Sequence, residues 1–139
     1  MLVTTPDNYA RTRRHHFSVQ GVKARHRSRA GRIAPGDRMC WYLVEISGFV
    51  ATATITSAVF EDHRPIWVAR GAPDPYPWRF RIAPRIVRTV REAVPAASVA
   101  ERLAFVRRRP RGQRGLAFQG NLHEIGARDF GVIERALAS

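Results

Sequence analysis

Residues 35–60 read PGDRMCWYLVEISGFVATATITSAVF and carry the clearest structural pattern in the chain. The Pro-Gly-Asp triplet at its start is typical of a turn. The apolar run inside residues 38–46 indicates a buried strand. Ser47 and Gly48 predict a reversal, and residues 49–60 alternate Val and Ile with Thr and Ala, as a long antiparallel strand does. We therefore predict a β-hairpin.

Shorter elements are predicted on the N-terminal side of this hairpin. Residues 1–4 are β-prone, and Thr5 followed by Pro6 has the chemistry of a capped helix start. Residues 11–32 are rich in Arg and His and contain few apolar side chains. We expect this segment to form an electropositive surface.

On the C-terminal side, a proline-rich segment precedes another strand. Its four prolines predict a loop over residues 61–77, because proline sustains neither a ladder nor a helix. Residues 78–84 alternate large apolar side chains with Arg79 and Arg81, which indicates one apolar and one basic strand face. If that basic face is exposed, it favours contact with phosphate.

Two helices are predicted in the last third of the chain. Ser98 with Glu101 matches a capping box that would start a helix over residues 98–107, buried through Val99, Leu103 and Val106. Residues 107–114 form a second basic cluster, most simply a solvated loop that enlarges the positive face. Residues 129–137 carry apolar side chains at helical spacing and predict an amphipathic terminal helix.

Size and charge restrict the class of protein. A chain of 139 residues has room for one domain with one core. It contains 24 Lys and Arg against 11 Asp and Glu, a net charge of +13, and every basic residue except Lys23 is Arg. Guanidinium grips phosphate with paired hydrogen bonds, and so large an imbalance repels itself without a counter-charge. We expect a polyanionic partner; the alternative is a surface charged only for solubility.

Other classes are disfavoured by what the sequence lacks. A single cysteine, Cys40, excludes an internal disulfide and a cysteine-based zinc site, and we expect it in the core. The absence of a run of about 18 apolar residues, or of a basic segment followed by a hydrophobic one, argues against a membrane span and a signal peptide. We expect a cytoplasmic protein that does not bind membranes.

No catalytic or metal-binding pattern is present. The spacing of His15, His16 and His26 matches no compact zinc motif. Asp62 and His63 have no Ser or Cys nucleophile in a recognisable turn, and the carboxylates form no acid and base pair. Because there is also no phosphate-cradling glycine loop, we expect no metal, no cofactor and no catalysis.

The order of the motifs resembles that of the EVE domain family, in the PUA-like superfamily and similar to YTH domains. The resemblance covers nearly the whole chain and rests on Gln20-Gly21-Val22, Pro35-Gly36-Asp37, Tyr76-Pro77-Trp78-Arg79 and residues 129–137. It implies an α+β fold, a PUA-like mixed β pseudobarrel flanked by short helices. It also implies a single EVE-like domain over residues 1–139.

The resemblance further implies a reader of nucleic acid. A modified base, for example a methylated one, would flip into a pocket at the barrel end, where burial of a methyl group and base stacking supply free energy. The predicted base pocket comprises Thr4, Thr5, Asn8, Tyr9, Phe17, Val19, Gln20, Gly21, Val22, Tyr42, Tyr76, Pro77, Trp78, Phe118 and Asn121. The predicted phosphate-binding residues are Arg13, Arg14, Lys23, Arg25, Arg27, Arg29 and Arg79.

Two positions depart from the family pattern. An aromatic residue usually precedes the position of Met1 by one or two residues, and Trp is frequent where this chain has Gln20. Both rings would line the pocket. Either the natural chain starts upstream of Met1, or the pocket is looser and more polar.

The individual aromatic residues have separate interpretations. Neighbouring strand residues point to opposite faces, so we expect Trp41 in the core and Tyr42 at the pocket or its rim. Trp78 should face the core with Phe80 and Ile82. Trp67 is either a mobile lid or a cover for the sheet edge.

The sequence leaves the ligand open. DNA with modified bases is one candidate, and RNA read by shape is another. A small-ligand pocket and a nucleotide hydrolase or nuclease are further alternatives, the last without visible ligands for a metal. A restriction or modification component is a possible effector partner under the family resemblance, and no pattern indicates an oligomeric state.

Overall fold

A computed structural model describes residues 1–139 and contains one curled sheet with short helices. The strands are β1 (Leu2–Thr4), β2 (Val19–Val22), β3 (Arg38–Leu43), β4 (Gly48–Ile55), β5 (Phe60–Glu61), β6 (Trp78–Val87) and β7 (Val94–Pro95). The helices are α1 (Pro6–Arg14), α2 (Arg27–Ala30), α3 (Ala104–Arg107) and α4 (Ala127–Ala138). Single 3₁₀ turns occupy Ala24–His26, Val90–Glu92, Ala96–Ser98 and Ala100–Arg102, and a longer 3₁₀ helix occupies Arg111–Phe118.

The predicted hairpin is the centre of the sheet. Strands β3 and β4 pair antiparallel, and the sheet order is β1-β3-β4-β6-β2, with β5 on β6 and β7 on β4. Only β1 runs parallel to its neighbour, with Leu2 opposite Trp41. Register shifts after Trp41 and after Thr52 increase the local twist and bend. The first half of β6 pairs with β2 and the second half with β4, which curls the sheet into a half-barrel.

Two hydrophobic cores cover opposite faces of β3. The first core lies inside the curl and includes Tyr9, Phe17, Trp41 and Phe80. The second core lies beneath α4 and includes Tyr42, Phe49, Cys40, Leu103 and Ile133. The apolar run of β3 is therefore buried on both faces. This is the predicted α+β pseudobarrel flanked by short helices.

Most element predictions are confirmed. Thr5 caps α1, with its hydroxyl accepting a hydrogen bond from Asn8 N at 3.1 Å. The proline-rich segment is a loop, and α4 buries Ile133 and Leu137. Cys40 and Trp41 are fully buried. Trp78 is half-buried, with its ring against the first core.

Several boundaries were wrong. Residues 49–60 do not form one strand, because β4 ends at Ile55 and the chain pairs again only as β5, with β6. Residues 98–107 form short turns and α3, since the Ser98 hydroxyl donates to Pro95 O at 2.7 Å and caps nothing. The capping box lies instead at Thr89 and Glu92. The exposed cluster at 107–114 runs into a 3₁₀ helix and is not entirely a loop.

No helix combines the length and hydrophobicity required to cross a bilayer, and the longest, α4, has 12 residues.

Candidate nucleic-acid interface

A cavity of about 600 Å³ opens beside the start of α1. Residues 3–8 form one wall, residues 68–70 with Tyr76 a second, and residues 118–121 a third. Lys23, Arg25 and Val44 complete the lining together with Glu45. We call this the N-terminal cavity. Its volume lies in the range of small-molecule and cofactor sites.

Asn8 fixes the loop that forms the second wall. Its side-chain amide donates to Val68 O at 2.8 Å, and its side-chain carbonyl accepts from Val68 N at 2.9 Å. The paired bonds hold the Val68 side chain outward, where it remains 48% exposed. The Asn8 side chain therefore hydrogen-bonds to the Val68 backbone and positions the cavity wall.

Tyr76 lies on the same wall in a strained backbone conformation. Its φ is +52°, and the Asp74 carboxylate holds this turn by accepting from Tyr76 N at 2.9 Å. The phenol donates to Val68 O at 3.1 Å, and burial raises the pKa of Tyr76. Strain of this kind costs about 1–3 kcal/mol and is concentrated at functional sites.

Asn121 joins the other two walls. Its side-chain carbonyl accepts from Lys23 N at 3.0 Å, and its amide donates to Val3 O at 3.1 Å. The backbone of Val3 also donates to Asn121 O at 2.9 Å. The side chain of Asn121 is 4% exposed, so it organises the cavity from below.

The apolar part of the lining is mainly aliphatic. Val3, Val44, Val68 and Ala69 contribute to it. Phe118 also lines the cavity, but it stacks on Tyr42 at 4.4 Å between ring centroids with an interplanar angle of 16°. One face of Phe118 is thus covered, and Tyr76 is the other aromatic residue of the lining.

A basic rim extends from the cavity wall. We use this name for Lys23, Arg25, His26, Arg29, Arg109 and His123. Burial lowers the pKa of His26, and the charges of Arg25, Arg29, His123 and Lys23 lower it further. The pKa of His123 is lowered by burial and by the nearby N-terminus, Arg29 and Arg109, against an opposing hydrogen bond to Gln119 O. The positive charges of the rim therefore lower the pKa of both of its histidines.

No carboxylate forms an ion pair with the four Lys and Arg residues of the basic rim, since the chain's ion pairs all involve other residues. Arg29 donates to Leu122 O at 2.6 Å, which fixes its position and leaves its charge uncompensated. The rim therefore attracts anions.

The structure brings six of the fifteen predicted pocket residues together at the N-terminal cavity: Thr4, Thr5, Asn8, Tyr76, Phe118 and Asn121.

The other nine do not line it. Tyr9, Phe17 and Val22 are in the first core, Tyr42 is in the second, and Gln20 is 2% exposed in the interior. Gly21 and Pro77 are buried, and Val19 lines a different cavity. Trp78 donates from its indole nitrogen to Ala24 O at 2.8 Å, with the Arg27 guanidinium 5.4 Å from its ring centroid. Tyr42 was expected at the pocket; this is wrong, because both faces of β3 are covered.

The predicted phosphate-binding residues also lie in different places. Lys23 and Arg25 line the cavity, and Arg27 and Arg29 are exposed on the adjoining α2. Arg13 and Arg14 are at the opposite end of α1, about 10 Å away by helical rise.

Phosphate contact was predicted for Arg79 on the condition that its strand face is exposed, and this condition is not met. Its side chain is 1% exposed and donates to the carbonyl oxygens of Tyr76, Pro75 and Arg64. The loop that precedes β6 folds back over this strand face.

Sequence reasoning missed part of the site. Val68 and Ala69 reach the cavity only because the 61–77 loop folds back over α1, whereas Val44 follows β3 and is placed by a hydrogen bond from its N to Thr4 O at 2.9 Å. Arg109 was assigned to a separate basic cluster, yet its charge acts on His123 of the basic rim. The charge density of residues 107–114 was the available signal.

Trp67 is buried at 4% exposure and is not a lid. Its indole nitrogen donates to Thr12 Oγ1 at 2.9 Å, and its ring lies against Gly21. Trp67 therefore covers the sheet. No group of three or more His, Cys, Asp or Glu side chains is arranged to hold a metal ion.

Comparison with known proteins supports the fold. No protein family profile matches the chain, and no curated protein matches it. The NMR structure of Rpa0253 from Rhodopseudomonas palustris is similar, with a TM-score of 0.59 and 13% identity, covering 99% of this chain and 91% of that one. The YTH domain-containing protein mmi1, solved in complex with RNA, has a TM-score of 0.56 and 12% identity, covering 96% and 76% respectively. The chain thus has a YTH-like fold.

Proposed function

We propose that this protein is a non-catalytic module that binds single-stranded RNA. In this proposal one base enters the N-terminal cavity and the neighbouring phosphates lie on the basic rim. The observation that carries the proposal is the combination of the rim, whose charges have no carboxylate partner, with a cavity of about 600 Å³ beside it.

Phosphate is the chemistry that fits the rim. Several neighbouring cations suit a polymer of phosphates better than a single small anion, because each contact releases condensed counterions. Arg additionally forms paired hydrogen bonds to phosphate oxygens. The fold supports RNA as the polymer, since a protein of similar fold has been solved in complex with RNA.

A modified base is the finer part of the proposal. Val3, Val44, Val68 and Ala69 provide an aliphatic wall, while Thr4 and Gln119 add polar side chains. A methyl group buried on such a wall gains about 0.8 kcal/mol, or roughly fourfold in affinity. The preference should be modest, because the methyl group would lie on an aliphatic wall and Tyr42 already covers one face of Phe118.

The test is a titration of single-stranded RNA oligonucleotides that differ only in one methylated adenine, followed by fluorescence anisotropy at about 50 and 200 mM salt. We expect binding at low salt, a marked loss at high salt and roughly fourfold tighter binding of the methylated strand. Equal affinity for both strands would contradict the recognition of a modified base and would still support RNA binding. Salt-insensitive or absent binding would contradict the whole proposal.

DNA and small ligands are separated by the same assay. A DNA oligonucleotide of the same sequence should bind more weakly. Tighter binding of DNA would show that DNA, and not RNA, is the ligand. A small molecule that binds while no oligonucleotide does would leave the rim as a solubility feature.

A further inference from the structure

A second cavity of about 410 Å³ lies outside the candidate site, at the other end of α1. The 61–77 loop runs along α1 in the opposite direction, with Asn8 bonded to Val68, Arg11 bonded to Ile66 O and Thr12 bonded to Trp67. The N-terminal cavity opens at one end of this seam. The second cavity opens at the other, beside His15.

The floor of the second cavity is a sheet face that carries an aromatic ring and arginines. In the register of β5, β6 and β2, Phe60 is opposite Arg79, and Val19 is opposite Arg81. Residues opposite each other share a face, so Phe60, Arg79 and Arg81 point the same way. The Arg81 guanidinium lies 5.5 Å from the Phe60 ring centroid, and both side chains are accessible.

The charge of this cavity is unbalanced. Arg64, Arg79 and Arg81 line it against one carboxylate, Asp62. Asp62 pairs with Arg64 at 2.8 Å and with Arg79 at 3.4 Å, so it is shared between two guanidinium groups. Three cations and one carboxylate leave a net charge of +2 before any contribution from His15.

Arg79 makes this charge a fixed part of the structure. Its guanidinium is held by backbone carbonyls and lies 5.2 Å from the Trp67 ring centroid. A buried cation that cannot turn toward water keeps its field directed at the cavity. Arg81, in contrast, is exposed and pairs with no carboxylate, and its guanidinium is held only by its contact with the Phe60 ring.

The distance between the cavities suits one nucleic-acid strand. Asn8 and His15 are seven residues apart at the two ends of the seam, which corresponds to about 10 Å of helical rise. At roughly 3.4 Å per stacked nucleotide, a strand covers this distance in about three steps, and in fewer when extended.

We propose that the second cavity binds a further nucleotide of the same strand, with its base on Phe60 and its phosphate between Arg64 and Arg81. This inference rests on the proposed function and extends it to a two-site path along α1. Sheet faces with an aromatic ring and neighbouring cations bind single strands in this way, with little dependence on sequence.

The experiment compares two single-stranded RNA lengths on four proteins. The short oligonucleotide reaches only the N-terminal cavity, and the long one extends several nucleotides to either side. The proteins are wild type, Phe60→Leu, Arg81→Gln and the control Arg135→Gln, which removes the same charge from an exposed site on α4. Inorganic phosphate is titrated separately against wild type by NMR.

We expect the long oligonucleotide to bind wild type more tightly than the short one. Phe60→Leu and Arg81→Gln should each lower the ratio of long to short affinity by about tenfold, and Arg135→Gln should leave this ratio near the wild-type value. If both cavity variants behave like Arg135→Gln, the second site is wrong and the proposed function stands. If neither oligonucleotide binds, both are wrong. If phosphate alone binds the second cavity as tightly as the long strand, the ligand is a free anion.

Discussion

Gln20 connects α1, β3 and the 61–77 loop through a chain of hydrogen bonds. Its side-chain carbonyl accepts from Thr12 Oγ1 at 2.7 Å and from Trp41 Nε1 at 3.1 Å, and Thr12 in turn accepts from Trp67. All of these atoms are buried. The chain of hydrogen bonds fixes Trp67 over Gly21, and this position determines where the 61–77 loop lies on α1.

Close packing at Gly21 gives a prediction at the residue scale. A Cβ at this position would lie 2.6 Å from Tyr76 O and 2.7 Å from the Trp67 ring. Because the carbonyl belongs to the backbone, it cannot move aside at low cost. We expect Gly21→Ala to lower the free energy of unfolding by about 2 kcal/mol or more in urea titrations.

Gly112→Ala is the matched control, since a Cβ there meets nothing within 4 Å. It should change the free energy of unfolding by less than about 0.5 kcal/mol. Equal effects of the two substitutions would show that Trp67 does not pack on Gly21.

At this scale strand alternation predicted correctly which side chains share a face, and it did not predict what covers the face. Trp41 is in the first core as expected. Tyr42 points to the opposite face, but α4 and its neighbours cover that face. Arg79 points away from Phe80 as expected, and the loop that carries Trp67 buries it. Both errors arise from contacts between residues distant in sequence.

Among the elements, α4 has a second role beyond its amphipathic packing. The Asp129 carboxylate in its first turn accepts hydrogen bonds from Ala104 N at 2.9 Å and from Phe105 N at 3.0 Å. It thereby caps α3, which has no side-chain cap from its own N-terminus. The predicted local cap at Ser98 failed because the cap comes from Asp129, which is 25 residues further along the chain than the capped Ala104.

Removal of this carboxylate is therefore expected to loosen the segment before α3. Asp129→Ala should lower the free energy of unfolding by about 1–2 kcal/mol and speed amide hydrogen exchange at Ala104 and Phe105. Asp129→Asn keeps one acceptor and should give an intermediate effect. Arg128→Ala, one position earlier and exposed, is the control; an effect as large as that of Asp129→Ala would refute the capping role.

Over the whole molecule, the ion pairs of the carboxylates all involve residues outside the basic rim. Several are used by backbone amides, as with Asp37, Asp74 and Asp129, and others pair with arginines elsewhere. The overall excess of positive charge was readable from composition. The assembly of the basic rim was not, because Lys23, Arg29, Arg109 and His123 come from three parts of the chain.

The two rim histidines give a pH dependence with opposite signs for stability and binding. Their pKa values are lowered in the folded protein, so the unfolded chain binds more protons just below pH 6.5. The free protein should therefore lose stability as the pH falls below about 6.5. Bound phosphates favour the protonated rings, so RNA affinity should increase as the pH is lowered from about 7.5 to about 5.5.

RNA binding should therefore be accompanied by proton uptake at these histidines. Calorimetric titrations of RNA in buffers of different ionisation enthalpy measure this uptake directly. Replacement of both His26 and His123 by Gln should abolish the uptake and flatten the pH dependence of RNA affinity. Unchanged uptake in the double variant would place the titrating groups outside the basic rim.

The salt dependence of RNA affinity tests the central claim most directly. Four permanent charges of the rim, each contributing about 0.7 for a single strand, predict a slope of log affinity against log salt near −3. Lys23→Gln and Arg25→Gln should each reduce its magnitude by about 0.7, and Arg135→Gln should not. A slope near zero, or equal slopes for the three variants, would contradict a phosphate-binding rim at the N-terminal cavity.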